Sequence, residues 1–396
     1  MTQPLDAIII GAGPAGMVLA LHLAKAGLRA KVLEAEAQIP KNLRGSTFHP
    51  SSLDLLEEAF GAAGPLIEQG LVAPTVQYRR HGQGRIAEFD FTDIQDLTAH
   101  PYRVQAEQYK LCYILRDLMA AYPNVEIVYN ARATAVAQDA GGVRVEVNDG
   151  RANYEARYLI GADGANSIVR RALDIPFDGF TWPERFLVVS TPFDFKQVFE
   201  GLSSVSYVAD AEEWYFLLEI PDGLWRVMFP TRAEEEDDDI LSDASVQARM
   251  ARVHDKGSAY EVAHKTLYNV HQRVADTYVS GRMILTGDAA HINNPLGGMG
   301  MNGGIHDSFN LAEKLVPVLK REAGPEMLQR YSDERRGVAM DYVQRVSIQN
   351  KKDLESADPA DQQAFETRLR EAEADLAKRR DLLLRLSMWA SLGKTV

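Results

Sequence analysis

The feature that most constrains this chain is its first glycine run, Gly11-Ala12-Gly13-Pro14-Ala15-Gly16. The apolar stretch Ala7-Ile8-Ile9-Ile10 leads into it as a strand, and Met17-Val18-Leu19-Ala20-Leu21 leaves it as a helix. In that order GxGxxG reads as a dinucleotide fingerprint. Gly11 permits the tight turn, Gly13 lets the backbone approach a pyrophosphate, and Gly16 lets the helix pack close on the strand. The free N–H groups of the helix start, near Ala15, then face the anion. A second strand, Ala30-Lys31-Val32-Leu33, ends at Glu34. A carboxylate about 20 residues after the glycines accepts hydrogen bonds from a ribose hydroxyl. An ordinary βα turn with a surface glutamate is the plainer alternative. The fold class expected is α/β: a Rossmann-like domain carrying GxGxxG, an inserted β-sheet domain and C-terminal helices.

With 396 residues, 46% of them hydrophobic, the chain can hold two or three folded units with a large core. Its net charge of -13, with no lysine- or arginine-rich block, argues against a nucleic-acid partner. The single cysteine, Cys112, excludes an internal disulfide; it sits in a helical pattern, where core packing is its ordinary role, and a cytoplasmic location fits. The first residues show no basic region followed by an apolar one, so no signal peptide is expected. No apolar run reaches the about 18 residues needed to span a membrane.

Past Glu34 the chain alternates. A loop over 39–45 precedes an amphipathic helix over 50–60, and strand-like pieces over 72–100 are broken by Gly82 and Gly84. A helix over 107–121 follows, then strands over 125–129, 143–147 and 152–160. From 186 to 232 the pattern is strand throughout, with Pro221-Asp222-Gly223 as a hairpin turn. Residues 234–239 are six consecutive acids, which read as a solvated loop or helix start; no metal site is expected. Met283-Ile284-Leu285-Thr286 is a short buried strand. Helices are expected over 304–320, 327–350 and 361–392. A nucleotide-binding domain assembled from 1–75, 100–180 and 278–345 follows, with a β-rich substrate domain from 76–99 and 181–277 and a helical segment over 346–396. The stripe through Leu382, Leu383, Leu384, Leu386, Met388 and Trp389 reads as a packed helix, with a membrane or oligomer contact as the lesser alternative.

Two further stretches carry a resemblance. Asp163-Gly164-Ala165-Asn166-Ser167-Ile168-Val169-Arg170 has the pattern DGxxSxxR. Gly287-Asp288-Ala289-Ala290-His291, followed by Pro295 and Gly297-Gly298-Met299-Gly300-Met301-Asn302, has a GD pattern. With the N-terminal glycines, in this order and over the whole length, the chain resembles the class A flavoprotein aromatic monooxygenases, the para-hydroxybenzoate hydroxylase-like family. The resemblance implies tightly bound FAD, with NAD(P)H a transient co-substrate lacking a domain of its own. Gly11, Gly13, Ala15 and Gly16 would hold the pyrophosphate and Glu34 the ribose. Arg44 and Gln108 would reach the flavin, and Val136 would touch adenine through its backbone. Asp163 would serve FAD and nicotinamide handling, and Asp288 the ribityl chain. Met301 and Asn302 would bring backbone N–H groups to the flavin O2 edge, with Gly298 beside them in the cofactor-binding loop. A helix start there would stabilise reduced flavin by a few tenths to about 2 kcal/mol. Gly298, Gly300 and Gly303 also spell GxGxxG, but no strand leads into them, so they are not a second dinucleotide site.

The reaction so implied is hydroxylation of a phenolic or N-heteroaromatic small molecule: NAD(P)H reduces FAD, O2 adds at flavin C4a to give a hydroperoxide, and its distal oxygen passes to the ring. Pro295 matches the family's proline beside the reacting ring. His291 and His49 are candidate bases; bracing the flavin loop, for His291, and capping or packing, for His49, are the alternatives. Trp214, Phe216, Leu218 and Ile220 share one strand face, either core packing or an apolar wall over the flavin. Ile220 stands where carboxylate-binding relatives place arginine, so Arg226 is either a substrate anion anchor or a plain surface residue. Other readings on the same fold are a flavin-dependent halogenase, whose WxWxIP pattern is not met at Phe216 and Leu218, a prenyl-type reductase, a quinone-pathway hydroxylase, or a non-catalytic flavin sensor. The expected partners are the small aromatic substrate, O2 and NAD(P)H, with a homodimer left open and no nucleic acid.

Overall fold

The computed structural model describes residues 5–41 and 45–393; Arg44, expected to reach the cofactor, lies outside them. The strand Leu5–Ile10 runs parallel to Ala30–Leu33 on one side and Ala152–Gly161 on the other. Both its faces are covered, and Ala7, Ile8 and Ile9 are fully buried, which is why the run is apolar without alternation. Val125–Val128 and Met283–Leu285 extend the sheet as further parallel strands. Val143–Val147 and Ala133–Gln138 attach to Ala152–Gly161 as an antiparallel pair, completing eight strands with Val279–Ser280.

A second sheet of eight strands is mostly antiparallel and takes its strands from distant parts of the chain. Thr75–Arg80 and Gly84–Asp90 form one edge, with Thr75–Arg80 parallel to Val205–Ala209 and Tyr78 opposite Tyr207. The other edge is His291–Ile292, paired with His264–Ala275. That strand comes from the stretch 278–345 assigned above to the nucleotide domain, so the GD loop is anchored to both sheets. A third, three-stranded sheet has Arg103–Gln105 at its centre, flanked by Thr47–Phe48 and Leu71–Ala73.

Alternation on Tyr215–Ile220 divides two cores. Tyr215 and Leu217 pack with Trp225, Phe229 and Met250 of the helix Asp243–Val253. Leu218 and Ile220, with Trp214 just before the strand, face the opposite way and share a core with Phe186, Met228, Leu296 and the C-terminal helices.

Those helices depart from the sequence pattern. The helix expected over 361–392 is two, Pro359–Ala374 and Leu376–Leu386. Asp375 breaks the first and caps the second by accepting from the N–H groups of Ala377 and Lys378. A one-turn segment, Trp389–Leu392, follows Met388, whose φ is 61°. The apolar stripe is buried, not offered to solvent: Leu383, Leu384, Leu386, Met388 and Trp389 are all 5% exposed or less. No described helix is long and apolar enough to cross a membrane. Leu383→Ala should cost about 2–5 kcal/mol, because a fully buried leucine leaves a cavity; a urea melt showing under about 1 kcal/mol would mean this segment is not part of the folded core.

The expected helices over 304–320 and 327–350 differ too. The first starts earlier and runs Met299–Lys320, taking in Gly300, Gly303 and Gly304. Glycine weakens a helix interior, but here it allows contact: a Cβ on Gly304 would lie 3.2 Å from the Gly287 Cα. The second is Glu326–Val338 and Arg345–Glu355, joined by a π-helical stretch over Ala339–Gln344.

Candidate active site

The glycine turn is built by close approach. Gly11 has φ +103°, and a Cβ there would lie 2.4 Å from the Ala162 carbonyl oxygen; a Cβ on Gly16 would lie 2.1 Å from the Gly11 oxygen. Neither clash is relievable, because both partners are backbone. Gly13 differs: a Cβ there would meet nothing within 4 Å. It faces open space at the N-terminus of the helix Pro14–Lys25, with Pro14 in the first turn. Glu34 fixes this turn from below, its Oε2 accepting from the Ala12 N–H and its Oε1 from the Glu36 N–H, both at 3.0 Å. Each oxygen keeps acceptor capacity for a hydroxyl. Ala131, which sequence reasoning missed, donates its N–H to the Glu34 carbonyl at 2.8 Å. Val136 lies half-buried on Ala133–Gln138, opposite Val145.

The other two motifs close on this turn. Ala162, whose oxygen blocks Gly11, precedes Asp163. Asp163 Oδ2 accepts from the Ile168 N–H at 2.7 Å, while Oδ1 is buried without a partner. Burial pushes the Asp163 carboxyl above its ordinary pKa, against the hydrogen bonds from Ser167 and the backbone. Arg170 ties this loop to the GD loop, donating to the Ala165 and Ala289 carbonyls at 2.6 and 2.9 Å and stacking on Phe177. Gly287 approaches the first helix, since a Cβ on it would sit 3.2 Å from the Ala15 Cβ. Ser308 then donates to the Ala15 carbonyl at 2.8 Å. Asp288, next to Gly287, is exposed in an otherwise buried turn.

At the far end, Gly45 lies between Gln108 and Met301: a Cβ on it would be 3.4 Å from both the Gln108 Oε1 and the Met301 Cβ. Gln108 and the start of the helix Met299–Lys320, far apart in sequence, thus flank the same glycine. Gly298 caps that helix in the left-handed region, with φ +67°. Helix geometry leaves the first N–H groups of a helix without an intrahelical partner, and Met301 is the third residue of this one. The Asn302 side chain is engaged as well, accepting from the His49 N–H at 3.0 Å and donating to the Thr47 carbonyl at 2.8 Å.

Both candidate histidines are held by hydrogen bonds to neighbouring elements. His49 is fully buried, and its Nε2 sits 2.9 and 3.1 Å from the Gly297 and Gly298 carbonyls, so that nitrogen must carry the proton. Burial first, then the Arg103 charge, holds it neutral, well below the ordinary histidine pKa. His291 Nε2 is 2.8 Å from Asp307 Oδ2, and its ring stacks on Tyr278. The bond to Asp307 ties the GD loop to the helix Met299–Lys320, while the His291 Nδ1 is buried without a partner among the described residues. Pro295 is exposed, but its carbonyl already accepts from the Gly298 N–H at 2.9 Å, leaving one lone pair.

The expected substrate residues divide. Trp214 and Leu218 are buried in the sheet core, Trp214 edge-on to Phe186 at 5.3 Å. Phe216 is half-buried beside Tyr207. Arg226 is neither a surface residue nor a free anion anchor: it is 6% exposed, ion-paired with Glu107 and donating to Ser46 Oγ at 2.9 Å. Burial pushes the Glu107 carboxyl up and Arg226 draws it back only in part. No sequence signal marked Asp307 and Arg335, which meet only in the fold.

A family model described as FAD binding domain matches residues 4–346. The para-nitrophenol 4-monooxygenase of Pseudomonas sp. (strain WBC-3) is 34% identical over 97% of this chain and 96% of its own length. The chain belongs to the FAD-dependent aromatic monooxygenases. A second relative in this family, the 6-hydroxy-3-succinoylpyridine 3-monooxygenase of Pseudomonas putida (strain DSM 28022 / S16), is 32% identical over 97% of this chain and 98% of its own. The crystal structure of p-nitrophenol 4-monooxygenase from Pseudomonas putida DLL-E4 superposes with a TM-score of 0.91 at 30% identity, covering 98% of this chain and 99% of that one. The site fits the cofactor of this monooxygenase family. Gly13 opens a space at a helix N-terminus, Asp163 Oδ1 is a buried acceptor without a donor among the described residues, and Asp288, Gly45 and Pro295 are each exposed.

Proposed function

We propose that this monooxygenase hydroxylates a small phenolic or N-heteroaromatic ring with NAD(P)H and O2. The observation that carries the reading is the convergence of three distant loops: Gly11–Gly16 on Ala162, Gly287 on Ala15, and Met301 and Gln108 both on Gly45. The activities of the two relatives, on a nitrophenol and a hydroxypyridine, support the ring class. When bound, FAD supplies reduction by NAD(P)H and activation of O2 for transfer to the ring.

The chain's own residues do the rest. Gly13 and the amides of the Pro14–Lys25 helix start bind the pyrophosphate, and Glu34 accepts from the ribose. Asp288 orients the ribityl chain, and Gln108 approaches the flavin ring. The free amides at the start of Met299–Lys320 stabilise negative charge developing nearby. The remaining lone pair of the Pro295 carbonyl accepts a hydrogen bond from a ring hydroxyl. Phe216, Tyr207 and Leu296 exclude water from the reacting ring.

The test is a panel of phenols and hydroxypyridines scored by stimulated NAD(P)H oxidation together with product mass. A hydroxylated product 16 mass units heavier, formed only with O2, is expected from at least one ring (the arithmetic of one inserted oxygen, about 16). Stimulated oxidation that yields only hydrogen peroxide across the whole panel would reject the reading.

A further inference from the structure

The most deeply buried arginine of the described residues is one that the reaction as proposed does not use. Arg103 lies on the central strand of the small sheet and is 1% exposed. Arg226 is neutralised by Glu107 and Arg335 by Asp307. Arg103, less exposed than either, has no carboxylate within ion-pairing distance among the described residues. One of its terminal nitrogens donates to the Leu386 carbonyl at 3.0 Å, its guanidinium lies 5.4 Å from the Phe91 ring centre, and its Nε has no partner.

A second orphan stands beside it. Gln105 is two residues along the same strand, so its side chain leaves the same face. Its Oε1 accepts from Thr47 Oγ1 at 2.7 Å, while its Nε2, fully buried, finds no acceptor among the described residues. The two unused donors lie next to the candidate site. Thr47 gives its carbonyl to Asn302, and His49, which binds the Gly297 and Gly298 carbonyls, feels the Arg103 charge. That charge also reaches Tyr78, stacked on Tyr207, and Tyr342, whose hydroxyl donates to the Arg385 carbonyl. Arg103 is thus surrounded by the loop that starts the flavin-side helix, the aromatic face of the second sheet and the C-terminal helices.

A buried cation without a counter-ion, paired with a buried amide without an acceptor, is short of one anionic acceptor. We infer that Arg103, assisted by Gln105, binds an anionic oxygen carried by the aromatic substrate, either a phenolate or a ring carboxylate. This deepens the proposed function and rests on it. The preferred substrates are rings that are already ionised. In a chain of net charge -13, which otherwise repels anions, Arg103 supplies the local field that admits them.

The test titrates the FAD-loaded enzyme with 4-nitrophenol, benzoate and nitrobenzene, following the change in flavin absorbance. Affinity for 4-nitrophenol should rise with pH in step with its ionisation, and whichever of the phenolate and the carboxylate binds tighter identifies the source of the oxyanion. Nitrobenzene, uncharged, should bind at least about 10-fold more weakly than that anion. Arg103→Met should lose about 10- to 100-fold in affinity for the anion and less than about 2-fold for nitrobenzene, with Arg103→Lys recovering part of the loss. If Arg103→Met does not fold with FAD, Gln105→Leu, which removes a neutral donor, should lose about 2- to 10-fold for the anion alone. Equal wild-type affinity for charged and uncharged rings, or an unchanged anion affinity in the variant that folds, overturns the inference. Hydroxylation of neutral rings as efficiently as ionised ones also overturns it while leaving the proposed function standing; failure to hydroxylate any ring defeats the proposed function itself.

Discussion

Asp307→Asn should destabilise the enzyme by about 3–5 kcal/mol at neutral pH, the usual cost of removing one member of a buried ion pair. Asp307 is fully buried; its Oδ1 accepts from Arg335 Nε at 2.6 Å, and its Oδ2 faces His291 Nε2 at 2.8 Å and the Gly287 N–H at 3.2 Å. Asparagine keeps the volume and loses the charge, leaving the Arg335 guanidinium buried without compensation. Burial alone would raise the Asp307 carboxyl, but the charges and hydrogen bonds of His291 and Arg335 outweigh it and hold the carboxyl well below the ordinary range. A group with a depressed folded-state pKa contributes stability above its unfolded pKa, about 3.9 for aspartate, and that stability is lost as pH falls toward the folded value. The gap between wild type and variant should therefore be full at pH 7 and narrow as pH falls below about 4. Because Gly287 precedes Asp288, the variant should also release FAD at lower denaturant than global unfolding. Urea melts across this pH range, read by far-UV circular dichroism and flavin fluorescence, check both points. A gap that is the same at pH 7 and well below 4, or absent at pH 7, would refute the role given to Asp307 (the threshold being the ordinary aspartate pKa, about 3.9).

The second large effect separates cofactor binding from folding. Gly13→Asp should leave the apoprotein folded, and FAD affinity should fall about 100- to 1,000-fold. The backbone at Gly13 is extended, with φ -74° and ψ 176°, a conformation any residue adopts, and a Cβ meets nothing within 4 Å. Gly13 is the N-cap residue of Pro14–Lys25 and makes no side-chain capping bond. Aspartate there caps the helix, adding up to a few tenths of a kcal/mol over glycine. The same carboxylate would project into the space where the pyrophosphate binds; two like charges about 4 Å apart at a protein surface repel by about 4 kcal/mol. Apoprotein melting temperature and FAD titration by fluorescence quenching measure the two effects separately. Gly16→Val is the contrasting control, because its Cβ would collide with the Gly11 oxygen and the fold itself should fail. Undiminished FAD binding by the aspartate variant would remove Gly13 from the cofactor site.

The sequence disclosed the site's framework through local rules. A glycine turn between strand and helix, an acid ending the next strand and two short loop patterns depend on backbone conformation over a few residues, and those constraints are written in residue type. Side-chain roles were less legible. Arg226 could be read as a surface cation because nothing near it in sequence shows Glu107, which lies on another element. Asn302 was expected to act through its backbone; that its side chain also bonds His49 and Thr47 is visible only in the fold. The helix was expected to begin at Gly304, but Gly300 and Gly303 fall inside it as well; Gly303 lies against His291 and Gly304 against Gly287, contacts that no local pattern reveals.

By itself, then, the sequence determined the α/β class, the nucleotide-binding turn and the family to which the chain belongs, because each depends on short-range geometry that particular residue types impose. Only the tertiary structure decided which buried charges are compensated. Asp307 finds Arg335 and His291, Arg226 finds Glu107, and Arg103 is left with none among the described residues. Charge compensation is a matter of distance in space and of exclusion of water, and neither is encoded by position along the chain.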